Sequence, residues 1–213
     1  MAAWVKDDGG RAAAGYTGEA GDCVTRAIAI ASGRPYQEVY DALAARIAEY
    51  GATRRDRVAK RIARGKGLRG TTPRNGVSPK VYGPYLESLG FRWKATMGIG
   101  TGCKVHLRAE ELPAGRIIAR CSKHIVAVID GVIRDNYDPS RAGTRCVYGY
   151  YYLPEESKGL LKAAPTLLQA AKEALASMEE AMLRDNPDAH MSMEWEAEPM
   201  AGLRAAISQA EGR

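Results

Sequence analysis

From Val24 onward the apolar residues first recur at helical spacing and later in short extended runs, and this change of period organises the chain. Val24, Ala27, Ile28 and Ala31 stand at i, i+3, i+4 and i+7, one face of a helix that Gly33 is placed to end and Asp22 to cap. Pro35 suits the first turn of a second helix, with Val39, Leu43 and Ile47 as its buried stripe and Gly51 as its predicted stop. Ser78 and Pro79 open a third helix, closed by Gly90, that turns Val81, Tyr82, Tyr85, Leu86 and Leu89 inward.

The stretches FRWKAT, RIIARC, HIVAVID, VIRDNYD and CVYGYYYL are rich in β-branched and aromatic residues and bounded by Gly, Pro, Asp or Ser, so each predicts a strand. Asp130-Gly131 predicts a two-residue hairpin turn that pairs Ile129 with Val132, Val126 with Asp135 and His124 with Tyr137. Paired residues share a face and faces alternate, which puts His124 and Asp135 on one side and Asn136 on the other. Beyond Leu153 the strand signals stop. Leu168, Ala171, Leu175, Met178 and Met182 form a heptad-like stripe, Asn186-Pro187 interrupts it, and a last helix is predicted over residues 200–210. The expected fold is α+β, with a central N-terminal helix packed on an antiparallel sheet over residues 1–153. A basic insert occupies about residues 52–70, and a helical extension follows over residues 154–213.

Composition adds limits to this outline. With 213 residues, 46 % of them apolar, the chain can bury a core of ordinary domain size. No stretch approaches the ~20 apolar residues of a membrane span, and MAAWVKDDGGRAAAG lacks the features of a signal peptide, so an intracellular protein is expected. In that setting Cys23, Cys103, Cys121 and Cys146 are expected to be free thiols. The net charge of +6 is unevenly spread. Residues 155–213 hold six Lys or Arg against eleven Asp or Glu, a net of −5, which leaves +11 for residues 1–154. Eight of the sixteen residues 54–69 are basic. Arg54, Arg55, Arg57, Lys60, Arg61 and Arg64 are therefore candidates for holding an anionic partner, nucleic-acid phosphates included, weakly and without sequence preference, the alternative being a solvated basic helix or mobile loop. The acidic C-terminal helices are a candidate protein-docking element.

Three residues carry candidate chemistry. Cys23 stands at a helix N-terminus, His124 opens a strand, and Asp135 projects from the partner strand on the histidine's side. A helix start and an adjacent imidazolium both favour a thiolate, so Cys23 would act as nucleophile, His124 as its base and then as acid to the leaving group, and Asp135 as the group that orients the ring. The backbone N–H of Cys23 is placed to donate to the developing oxyanion. Cys103-x-x-His106 and Cys121-x-x-His124 also have the spacing of a four-ligand zinc site, a secondary reading because strand patterning already explains Cys121 and His124. No metal or other cofactor is expected.

With GDCVTRAIAI near the N-terminus and HIVAVIDGVIRDNYDPSRAG a hundred residues later, residues 15–153 resemble the papain-like cysteine peptidase fold, particularly its compact bacteriocin-leader-peptidase branch. Small proteins of that type are often encoded by phages and prophages. The resemblance implies amide-bond cleavage in a peptide or protein substrate, in the cytoplasm of a bacterium or phage-infected cell or from within a phage particle. It maps Cys23 and His124 onto nucleophile and base. Its Asp-Pro pattern selects Asp138 as third member where hairpin parity selects Asp135, and a bulge would hand the place to Asn136 or Asp138. Six residues before the cysteine, where these peptidases carry an oxyanion-binding glutamine, this chain has Thr17. The alternatives are a non-catalytic structural or interaction protein on the same scaffold, such as a virion component, and a hydrolase of cell-wall peptides.

Overall fold

The structure, a computed structural model, describes residues 3–65, 70–154, 168–181, 184 and 198–211. The chain divides into two units, Met1–Pro154 and Glu155–Arg213. In the first, α1 (Cys23–Ser32) buries Val24, Ala27, Ile28 and Ala31 and ends at Gly33, whose φ of 75° is the left-handed conformation that glycine supplies. Helix α2 (Tyr36–Thr53) buries its predicted stripe but runs through Gly51 instead of stopping there. A Cβ on Gly51 would stand 2.6 Å from Ile62 Cγ2, so the glycine serves close packing against α3 (Arg57–Ala63). Helix α3 is the middle of the basic insert. Asp56 caps it, accepting from the amides of Val58 and Ala59 at 2.9 and 3.0 Å. Helix α4 (Pro79–Ser88) starts at Ser78 as the sequence predicts.

Six strands form one sheet in the order β1-β5-β4-β3-β6-β2, namely β1 (Trp4–Lys6), β2 (Arg92–Ala95), β3 (Arg116–Cys121), β4 (His124–Ile129), β5 (Val132–Asp135) and β6 (Val147–Tyr152). The fold is α+β, but the sheet is mixed where an antiparallel one was expected, because β1 pairs parallel to β5. Strand β1 is three exposed residues, with no alternation to betray it. On one face Ile118, Ile125, Ala127 and Tyr151 pack under α1, α2 and α4. On the other, Ile117, Val126, Val128 and Ile133 pack with Leu107 and Leu112. Gly149 in β6 has no room for a Cβ, which would lie 2.3 Å from the Trp93 ring.

Cys103 and Cys146 are joined in a disulfide, with Cα atoms 5.8 Å apart, which corrects the expectation of four free thiols. The bond ties the loop at residues 96–107 to the start of β6. Cys23 and Cys121 are free.

The second unit is helical over residues 168–181 (α5) and along α6 (Glu198–Glu211). On α5 Leu168, Ala171 and Leu175 are half-buried and Met178 is exposed, while Met182 lies outside the described residues. Arg204 of α6 donates to Glu179 Oε1 of α5 at 2.8 Å. Among the described residues no helix is long and apolar enough to cross a membrane.

Candidate active site

Cys23 is the first residue of α1, and its neighbour Asp22 does not cap the helix with its side chain. The Asp22 carboxylate is fully buried instead. It pairs with Arg26 Nη1 one turn ahead, accepts from the Tyr36 hydroxyl at 2.8 Å, and lies 3.0 Å from Arg11 Nε in an ion pair outside hydrogen-bond geometry. Arg26 is 5 % exposed, and its second nitrogen, Nη2, donates to Asp135 Oδ1 at 2.9 Å. The same oxygen accepts the Asn136 amide at 2.8 Å. Both bonds fix the Asp135 carboxylate so that Oδ2 meets His124 Nε2 at 2.6 Å.

The hairpin supplies the other half of this arrangement. Asp130 and Gly131 have positive φ angles of 48° and 78°, as a tight two-residue turn between twisted strands requires. Ile129 pairs with Val132, Val128 with Ile133 and Ala127 with Arg134, the expected register, and no bulge interrupts it. Asp138 is exposed and turned to its own loop, accepting the Ser140 amide at 2.8 Å, and Asn136 takes part through its backbone only.

With Nε2 engaged by Asp135, Nδ1 is the ring nitrogen of His124 left to act on the Cys23 thiol, which lines the same cleft. Burial raises the Cys23 pKa, but the hydrogen bond and charge of His124, the N–H of Ile125 and the guanidinium of Arg26 outweigh it, and the net shift is downward. For His124, burial disfavours the charged ring, yet the bonds to Asp135 and Cys23 push its pKa up to about 9. Burial opposes ionisation of Asp135 too, and His124 and Arg26 still hold it below the usual carboxylate range. Cys121 shows the contrast: burial takes its thiol up to about 11. Each shift acts in the direction of a thiolate–imidazolium pair.

Cys23 and His124 open into a cleft of about 700 Å³, whose walls include Gly21, Asn75, Tyr82, Arg120, Tyr137 and Tyr148. The Tyr137 ring lies 5.5 Å from the His124 ring, centre to centre. Asn75, also in the wall, holds its loop together, its Oδ1 accepting from the amides of Gly70, Thr71 and Thr72.

Thr17, the oxyanion candidate, is exposed and outside the cleft wall. Its carbonyl accepts from Arg11 and Arg74, and the amides at the start of α1, without a side-chain cap, are donors beside Cys23 itself. In the basic insert Arg54, Arg55, Arg57, Lys60, Arg61 and Arg64 are all exposed, and only Arg61 reaches the cleft. Arg55 spends its guanidinium on the carbonyls of Ala52 and Arg54. Residues 66–69 of the insert lie outside the described residues. The zinc reading loses Cys103 to the disulfide, and His106 Nδ1 lies 3.1 Å from Glu111 Oε2.

Sequence reasoning missed Arg26, Arg11, Tyr36 and the Ile125 amide. Asp22 and Arg26 did leave a signal, an acid and a base four residues apart beside the apolar face of a helix too hydrophobic to leave both in water. Compared with family models, curated proteins and solved structures, the chain matches none.

Proposed function

We propose that the protein is a cysteine peptidase-type hydrolase of papain-like fold that cleaves amide bonds with Cys23, His124 and Asp135. The observation that carries this reading is the His124 ring, bonded to Asp135 Oδ2 at 2.6 Å and lining the same cleft as the Cys23 thiol. The thiolate attacks the substrate carbonyl carbon, and the C=O electron pair moves onto oxygen, facing the uncapped amides of α1. As the intermediate collapses, the C–N bond breaks, the imidazolium of His124 gives its proton to the leaving amine, and a thioester remains on Cys23. Neutral His124 then takes a proton from water, whose oxygen attacks the thioester. The C–S bond breaks, the acid departs, and the thiolate–imidazolium pair is restored. Asp135 stays ionised throughout and steadies the ring.

Iodoacetamide labelling at pH 7, read site by site by mass spectrometry, tests the activated thiolate. Cys23 is expected to react at least about tenfold faster than Cys121, since its thiol is depressed and accessible while the other is raised and buried. Equal rates at the two sites would sink the proposal. A second reading, a non-catalytic scaffold that retains the site, is favoured by the outward position of Thr17. It is the better account if Cys23 labels fast but peptide mixtures are never cut.

A further inference from the structure

Three cations border the cleft that the reaction above leaves unused. Arg61 reaches it from α3, Arg120 from the end of β3, and Lys123 from the two-residue turn that joins β3 to β4 beside His124. Among the described residues none of the three is in an ion pair, and no Asp or Glu lines the cleft. A fourth lining cation, Arg26, is already matched by Asp22 and Asp135. The approach to Cys23 thus carries uncompensated positive charge from three separate elements, one of them rigidly tied to the imidazole by the turn at Lys123, φ 55°. Such a channel concentrates anions and repels basic segments, at little desolvation cost because its cations remain partly in water.

We propose that the cleft selects peptide segments with an Asp or Glu side chain close to the scissile bond, and that Arg61, Arg120 and Lys123 set this preference. The inference rests on the hydrolase reading. A peptide fits better than a nucleic acid because the Cys23 thiolate lining the cleft acts on carbonyl carbon, and an acidic side chain brings anion and carbonyl in one ligand.

The test uses tripeptide chloromethyl ketones built on Ala-Ala-Ala, with Glu or Gln placed at each position in turn, and the full-length protein in 50 mM NaCl. At one position or more, the Glu probe is expected to alkylate Cys23 about tenfold faster than its Gln twin. The ratio is expected to fall toward one in 0.5 M NaCl and in the R61Q/R120Q/K123Q variant. Because the Gln probe is the reference within each protein, a change in thiol reactivity or in folding caused by the substitutions cancels. Equal Glu and Gln rates with fast labelling overturn the preference and leave the hydrolase reading standing. Labelling of Cys23 by both probes no faster than of Cys121 overturns both. Protection of Cys23 by a single-stranded 20-nucleotide DNA but not by oligoglutamate assigns the cations to nucleic acid and also overturns the preference.

Discussion

Arg26→Met is the most searching single substitution. The guanidinium joins two buried carboxylates, Asp22 at 0 % exposure and Asp135 at 3 %, and methionine keeps most of the volume while removing the charge. Deleting one partner of a buried ion pair costs about 3–5 kcal/mol, because the other charge stays behind in a low dielectric. Here the lower end applies. Asp22 keeps Tyr36 and Arg11, Asp135 keeps His124 and the Asn136 amide, and the substitution also removes Arg26 Nε, a buried donor with no hydrogen-bond partner among the described residues. A loss of about 3 kcal/mol corresponds to a drop of roughly 6–12 °C in Tm for a unit of this size. Thermal melts and urea titrations at pH 7 measure it, with Asp22→Asn and the double variant completing a cycle whose coupling should exceed about 1 kcal/mol. Arg26 is also a positioning residue, so the pH profile of Cys23 alkylation should move to higher pH in Arg26→Met, a change that loss of stability alone does not produce. Stability within about 0.5 kcal/mol of the parent, or an unmoved profile, would refute the reasoning.

Two further outcomes follow from the site and the strap. Since the His124 pKa is raised to about 9, the ring is protonated below that value and neutral above it, so peptide turnover should decline as pH rises through about 9. Iodoacetamide needs no proton from the ring, and alkylation of Cys23 should persist there; parallel decline of both would contradict the assigned acid. Thiol titration of the unfolded protein should find two reactive groups without reductant and four with it, and Cys103→Ser with Cys146→Ser should lower stability by about 2–4 kcal/mol. Four thiols without reductant would remove the disulfide.

Where one period repeats over many residues, the sequence was legible. Helix α1, helix α4 and the β4–β5 hairpin lie where apolar spacing, Ser78-Pro79 and Asp130-Gly131 put them, and the juxtaposition of His124 with Asp135 followed from counting along the hairpin. Short or long-range features were not legible. Strand β1 has three residues and its partner lies about 130 positions away, and Gly51 looked like a helix stop because the pressure of Ile62 against it is tertiary. Asp22 looked like a cap because local chemistry favours caps, whereas Arg26, Arg11 and Tyr36 competed for the carboxylate only once packed together. The disulfide was missed because free thiols were expected of an intracellular protein, and its cysteines, 43 positions apart, carry no local mark of pairing.

The two halves of the site differ in how far apart along the chain their parts lie. His124 and Asp135 are 11 residues apart within one hairpin and can meet as soon as that hairpin zips, while the sulfur arrives from 101 positions upstream when α1 docks on β4. Until that docking neither the imidazole nor the Ile125 amide is within reach of the thiol, which keeps its ordinary, sluggish character. On the proposed chemistry, a newly synthesised chain is thereby chemically quiet, and its thiol gains its activating partners only with completed assembly.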